Sequence, residues 1–194
     1  MQFMGNEFGQ FIEWRFYEPL EWFLLDYDAH RRLMDYVRVL NHFYLEETTL
    51  WADNDSWNGF KWIDADNSGQ SILSLIRIDE EKGNFCVIVL NLKPVDYPEY
   101  DIGVPSSGWY REVFSTDRKD FGGNGAVNSG NIIAKAKPLH GFDQRITVHL
   151  PALSGIVLKP VRNGLLKIKN NKEKKKNNSP KNAINDLREK TTEI

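Results

Sequence analysis

Apolar residues follow two different periods along this chain, and the change between them falls near residue 57. Between Asp26 and Thr48, Leu33, Val37, Leu40 and Tyr44 recur at helical spacing, with Arg31, Arg32, Asp35 and Arg38 on another face. That stripe predicts a helix, capped by Asp26 or Asp28 and ending near Glu46-Glu47-Thr48. From Phe60 the period shortens to two, Phe60, Trp62 and Asp64 alternating with Lys61 and Ile63. Further strands are predicted over Ser71–Ile78, Phe85–Leu92, Trp109–Phe114, Ile132–Ala136, Arg145–Leu150 and Gly155–Lys159. Turn chemistry separates them: Asp66-Asn67-Ser68-Gly69, Glu81-Lys82-Gly83-Asn84, Pro105-Ser106-Ser107-Gly108 and Gly122-Gly123-Asn124-Gly125. Short strands with frequent turns and no helix between them predict a mainly β chain folded as an antiparallel sandwich.

The two ends depart from this pattern. Residues 1–25 combine a strand stub, Gln2-Phe3-Met4, with a glycine-punctuated, tryptophan-rich loop. Lys167–Asn178 is nearly all Lys and Asn, with too little apolar surface to offset the entropy of ordering, so a disordered basic tail is expected. Within it, Ala183–Glu193 offers at most a transient helix. Charge divides the same way. Residues 1–160 carry 15 Lys and Arg against 23 Asp and Glu, a balance of −8, and residues 161–194 carry 10 against 4, a balance of +6. An acidic body lacks the basic face of a nucleic-acid-binding domain. No apolar run approaches the roughly 18 residues of a membrane span, and the N-terminus lacks the basic flank and apolar stretch of a secretion signal. The single cysteine, Cys86, excludes an intrachain disulfide framework, and its apolar neighbours predict a buried, inert thiol. A cytoplasmic protein without nucleic-acid or membrane partners is expected.

Few motifs survive their context. Asp64-Ala65-Asp66-Asn67-Ser68-Gly69 imitates the opening of a calcium loop, but Leu75 stands where a bidentate Glu is needed, so a hairpin turn is the better reading. Gly122-Gly123-Asn124-Gly125 lacks the ending of a phosphate loop and reads as a mobile surface loop. His30, His42, His140 and His149 have no ligand spacing, so neither metal nor cofactor is expected. Glycoside chemistry requires two carboxyl groups at set separations, and no pair here assembles one, leaving no catalytic residue to assign. Tryptophan is more informative. Five of the six (Trp14, Trp22, Trp51, Trp57, Trp62) fall in the first third of the chain. Indole faces stack on sugar rings while polar neighbours bond the hydroxyls, and the bland alternative is that they fill a domain seam. The first loop therefore supplies the candidate substrate-binding residues Glu7, Gln10, Trp14 and Trp22, whereas Trp62 and Trp109 are expected in the core.

Residues 3–25, Phe-Met-Gly-Asn-Glu-Phe-Gly-Gln-Phe-Ile-Glu-Trp and onward to Glu-Trp-Phe-Leu-Leu, resemble the segment of bacterial 1,4-α-glucan (glycogen) branching enzymes that spans the eighth barrel strand and its following loop. The resemblance continues in order through Arg38-Val39-Leu40-Asn41, Gly59-Phe60-Lys61-Trp62-Ile63-Asp64, Val89-Leu90-Asn91-Leu92-Lys93-Pro94-Val95, Tyr100-Asp101-Ile102-Gly103-Val104-Pro105 and Trp109-Tyr110-Arg111-Glu112-Val113. It closes on Ser115-Thr116-Asp117, His140-Gly141 and Leu150-Pro151-Ala152-Leu153-Ser154-Gly155-Ile156-Val157-Leu158, and so covers about residues 3 to 160.

Such enzymes resemble α-amylases, with an N-terminal sandwich, a (β/α)8 barrel and a C-terminal antiparallel sandwich. The resemblance implies that residues 1–45 are the last β/α unit of an incomplete barrel, 46–162 the C-terminal sandwich, and 163–194 a tail without counterpart. The implied reaction cleaves an α-1,4 glucan and transfers the cut chain to a 6-hydroxyl, through a glycosyl-aspartate with a glutamate as acid/base and a second aspartate assisting. Those three carboxylates belong to earlier barrel strands, and none maps onto this chain. A fragment inactive alone is therefore expected, with α-1,4-glucan and the upstream barrel portion as partners. The alternatives are a stand-alone glucan-binding module, or a purely structural domain that shields the barrel.

Overall fold

The structure, a computed structural model, describes residues 3–161. The basic tail and its transient helix lie outside the described residues, as does Gln2; Phe3 and Met4 form no strand. One long helix, α1 (Asp28–Glu46), precedes eight strands: β1 (Phe60–Asp64), β2 (Ile72–Asp79), β3 (Asn84–Asn91), β4 (Tyr97–Val104), β5 (Trp109–Ser115), β6 (Ile132–Ile133), β7 (Gln144–Leu150) and β8 (Gly155–Pro160). Six of them form an antiparallel sheet in the order β1-β2-β3-β8-β5-β6, and β4 pairs with β7 in a second, two-stranded sheet.

The two sheets close on one apolar core. Ile72 and Ile76 of β2, Phe85, Val87 and Val89 of β3, and Ile156 and Leu158 of β8 meet Tyr100, Ile102, Val104, Ile146, Val148 and Leu150 of the smaller sheet. Along β3 and β8 the residues between these are covered as well, Cys86 and Val157 buried and Ile88 half-buried. Cys86, Phe114 and Val157 form a second cluster on the opposite face, covered by Tyr36, Val39, Leu40 and Phe43 of α1. Strands covered on both faces lose their polar alternation, which is why β3 reads as the continuous run Phe85–Leu90. The large sheet is therefore a middle layer between a helix and a two-stranded sheet.

Several expectations change in three dimensions. The docked stripe of α1 is rotated from the one the spacing suggested. Val37 is buried, but Leu33 and Tyr44 are exposed, because two short 3-10 turns, Asn6–Phe8 and Trp22–Asp26, pack on a neighbouring face of the helix. Neither Asp26 nor Asp28 caps α1 through its side chain. Tyr27 occupies the cap position, and Asp28, in the first turn, pairs instead with Arg31 (3.0 Å) and Arg32 (2.6 Å). The strand expected over Ile132–Ala136 shrinks to two residues plus an isolated bridge from Lys135 to Arg145. Strand β4 carries Pro98 beside an irregular register between Tyr97 and Tyr100, a place in a sheet where proline is tolerated.

The turn at Asp66–Gly69 joins β1 to β2 as a hairpin. The Gly122–Gly125 loop is more tightly held than a slack surface loop. The Asp117 carboxylate accepts the N–H groups of Asn124 (3.1 Å) and Ala126 (2.9 Å), and the N–H of Gly125 donates to the Asp117 carbonyl at 2.7 Å.

Cys86 is fully buried, accepts the hydroxyl of Thr49 at 3.2 Å, and has its pKa pushed up to about 11 by burial. Only the thiolate attacks disulfide reagents, and at pH 8 such a thiol is ionised about once in a thousand molecules. The folded protein is accordingly expected to resist a disulfide reagent at pH 8 and to release one equivalent of thiol once unfolded; rapid titration of the folded form would contradict this.

Candidate functional site

Two aromatic surfaces present themselves, one in the N-terminal loop and one at the edge of the large sheet. In the first, the turn Asn6–Phe8 is flanked by Gly5 (φ 86°) and Gly9 (φ 71°), both in the left-handed region where a side chain is strained. Phe8 is fully buried, and its carbonyl accepts the Nδ1–H of His30 in the first turns of α1 at 2.7 Å. The loop is thereby tied to the helix.

The four predicted binding residues sit differently around this anchor. Trp22 is half exposed and lies tilted over the buried Phe8 ring, centroids 5.1 Å apart. Trp14 is held edge-on by Phe3 at 5.6 Å. Glu7 turns toward the helix, lining a cleft of about 360 Å³ with Met34, Val37, Arg38 and Asn41. Gln10 is engaged within the loop: its Oε1 accepts the N–H of Glu21 at 3.0 Å and its Nε2 donates to the Ile12 carbonyl at 2.7 Å. The structure thus links Gln10 to the backbone beside Trp22, while Glu7 faces elsewhere.

The second surface was not foreseen as a site. Trp62 is exposed, not in the core, and Trp109 is likewise half exposed. Ile63 is the residue of β1 that enters the core, so Phe60 and Trp62 occupy the opposite face of the strand. The helix covering that face is centred on β3, β8 and β5, so the β1 edge stays open. There Trp57, 85 % exposed, Phe60 and Trp62 form a ladder of rings with centroids 6.4 and 4.9 Å apart. Polar groups border it. Arg77, opposite Phe60, donates to the Leu50 carbonyl (3.1 Å) and to Asn54 Oδ1 (2.5 Å). With Asn54, Asp55, Ser56, Trp57 and Phe60 it lines a cleft of about 310 Å³. Gly59, between Trp57 and Phe60, packs directly on the Asp53 backbone, where a Cβ would clash with the carbonyl oxygen. The alternation of β1 held the signal: with Ile63 inward, Trp62 must point the other way.

Elsewhere the chemistry is sparse. Burial raises the Glu112 carboxyl above its ordinary range, opposed by hydrogen bonds from Asn128 through Nδ2 (2.7 Å) and N (3.3 Å). A groove of about 430 Å³ between α1 and the ends of β3 and β8 is lined by Leu33, Tyr36, Leu92, Phe121 and Leu153, and Glu112 lies outside it. Among the described residues, no group of three or more His, Cys, Asp or Glu is placed to hold a metal ion, and no helix is long and apolar enough to cross a membrane.

Comparison with known proteins places these surfaces in context. The chain is 45% identical over 161 residues to the 1,4-alpha-glucan branching enzyme GlgB of Francisella tularensis subsp. novicida, covering 82% of this chain and 25% of that enzyme. It is 47% identical over 158 residues to the same-named enzyme of Francisella philomiragia, covering 81% and 25%. The chain therefore spans about a quarter of the length of these relatives, their C-terminal portion. Among solved structures, an α-amylase from H. orenii aligns with 66% of this chain and 20% of its own, at a TM-score of 0.39 and 18% identity. The sequence pattern of the alpha amylase, C-terminal all-beta domain matches residues 62–161, more than half of the chain, and the chain belongs to that family.

Proposed function

We propose that this chain is the C-terminal part of a cytoplasmic 1,4-α-glucan branching enzyme and that it contacts α-1,4-glucan through its exposed aromatic faces. The whole enzyme would cut an α-1,4 chain and transfer it to a 6-hydroxyl. In this reading residues 1–45 are the last β/α unit of the catalytic barrel, residues 46–162 the C-terminal sandwich, and Glu7, Gln10, Trp14 and Trp22 lie at the rim of the active site. The observation that carries it is the identity of nearly half of 161 aligned positions with branching enzymes, over 82% of this chain. The exposed rings add physical support, since they offer apolar faces bordered by hydrogen-bonding groups, the surface a sugar ring fits. A buried thiol as the sole cysteine suits a reducing compartment.

A stand-alone glucan-binding module is the second reading, favoured by the edge ladder, which is complete without any further polypeptide. Titration with maltooligosaccharides tests glucan contact in both. Binding of about millimolar strength is expected, and Trp57→Ala and Trp14→Ala should each weaken it, about tenfold at the surface concerned. A chain that shows no saturable binding would remove glucan contact from both readings.

A further inference from the structure

The loop from Phe11 to Leu20 is closed at its neck by side chains. The Glu21 carboxylate accepts the backbone N–H groups of Phe11 (2.9 Å) and Ile12 (3.1 Å) on one oxygen, and Gln10 binds back to the Glu21 N–H and the Ile12 carbonyl. Three hydrogen bonds therefore join two chain segments about ten residues apart, two of them strengthened by a formal charge, and the fourth braces Gln10 within its own segment. Phe11 also lies edge-on to His30 at 5.2 Å, which brings the neck against α1. Beyond the neck the loop exposes Phe16 at 83 % and Tyr17 at 64 %, and carries the less exposed Trp14. Without the neck, a strand-free loop this apolar would collapse onto itself or its neighbours.

We propose that Glu21 is a positioning residue for glucan recognition. Its backbone leads directly into Trp22, and its side chain fixes the start of the arm that carries Trp14, so one residue sets the relation between the two indole faces. The proposal rests on the glucan-binding reading above. A site whose rings are already placed binds without the ordering penalty that a loose loop incurs.

Maltooligosaccharide affinity in a Trp57→Ala background, which silences the edge ladder, tests it together with hydrogen exchange at the Phe11 and Ile12 amides. Glu21→Ala is expected to weaken binding about tenfold and speed exchange at both amides by a similar factor, with the melting temperature moving by less than about 2 °C. Glu21→Gln, which keeps an acceptor for both N–H groups, should restore affinity and protection. Affinity unchanged in Glu21→Ala while Trp14→Ala loses it would overturn the proposal and leave the glucan reading standing. Protection restored by Glu21→Gln without affinity would mean that the carboxylate touches sugar directly, which also overturns it. No binding by the Trp57→Ala chain, when the unsubstituted chain binds, confines glucan to the ladder and removes the proposal. No binding even by the unsubstituted chain removes the glucan reading as well.

Discussion

Purified chain incubated with amylose is expected to introduce no α-1,6 branch points. Substituted for the corresponding quarter of the Francisella tularensis subsp. novicida relative, it is expected to support branching at about a tenth or more of that enzyme's rate, whereas the same relative without this quarter should fall at least about a hundredfold. Barrel active sites draw their reacting groups from loops after several different strands, and one loop supplies a rim contact at most. The surface of the N-terminal segment agrees with a missing neighbour. Phe3, Phe11, Phe16, Tyr17, Phe23 and Tyr27 are each more than half exposed, a concentration of apolar area that a solitary soluble domain rarely presents. Release of branches by isoamylase after treatment measures the outcome for all three proteins. Branch points made by the chain alone, free of contaminants, would sink the proposed division of labour.

Much of the sandwich was readable because its strands announce themselves by alternation or by unbroken apolar runs. Strands β2, β3, β5, β7 and β8 all fall within about two residues of the segments that pattern marks. Strand β4 was not marked. Its Pro98, Glu99 and Asp101 interrupt any apolar pattern, and only its inward residues Tyr100, Ile102 and Val104 belong to the core. A strand that belongs to a two-stranded sheet can keep polar residues outward and still be essential. The helix was found but its buried face was misjudged, because a helix clamped between a sheet and a loop buries more than one stripe.

The site was harder to read than the fold. Composition drew attention to tryptophan but could not say which indoles face solvent. That depends on where α1 lies across the sheet, a tertiary fact. Gln10 shows the same limit from the other side: its type suits sugar hydroxyls, yet both ends of its amide bond the chain itself. The partnership of Gln10 and Glu21 spans eleven positions with no repeat, so no periodic signal could reveal it.

Phe114→Ala is the substitution expected to cost the sandwich most, because one ring joins the helix to the sheet. Phe114 is 6 % exposed and stacks on Phe43 at 5.0 Å, with Phe121 at 6.1 Å and Tyr36 at 6.3 Å. It reaches them because the register shifts between Glu112 and Phe114, a bulge that turns this residue onto the helix face opposite Val157. Removing the ring leaves a cavity under α1 that neighbouring aromatics on separate elements cannot refill, and a loss of about 3–5 kcal/mol is expected. That is a large fraction of the roughly 5–15 kcal/mol that holds a domain of this size. Urea unfolding should show the midpoint fall with little change in slope, and exchange at the α1 amides should quicken more than at those of β4 and β7. Phe114→Leu, which keeps most of the volume, should recover much of the loss. A midpoint shift worth less than about 1 kcal/mol for Phe114→Ala would mean that the helix is held by its other contacts, Tyr36, Val39 and Leu40 on the cluster of Cys86 and Val157 among them.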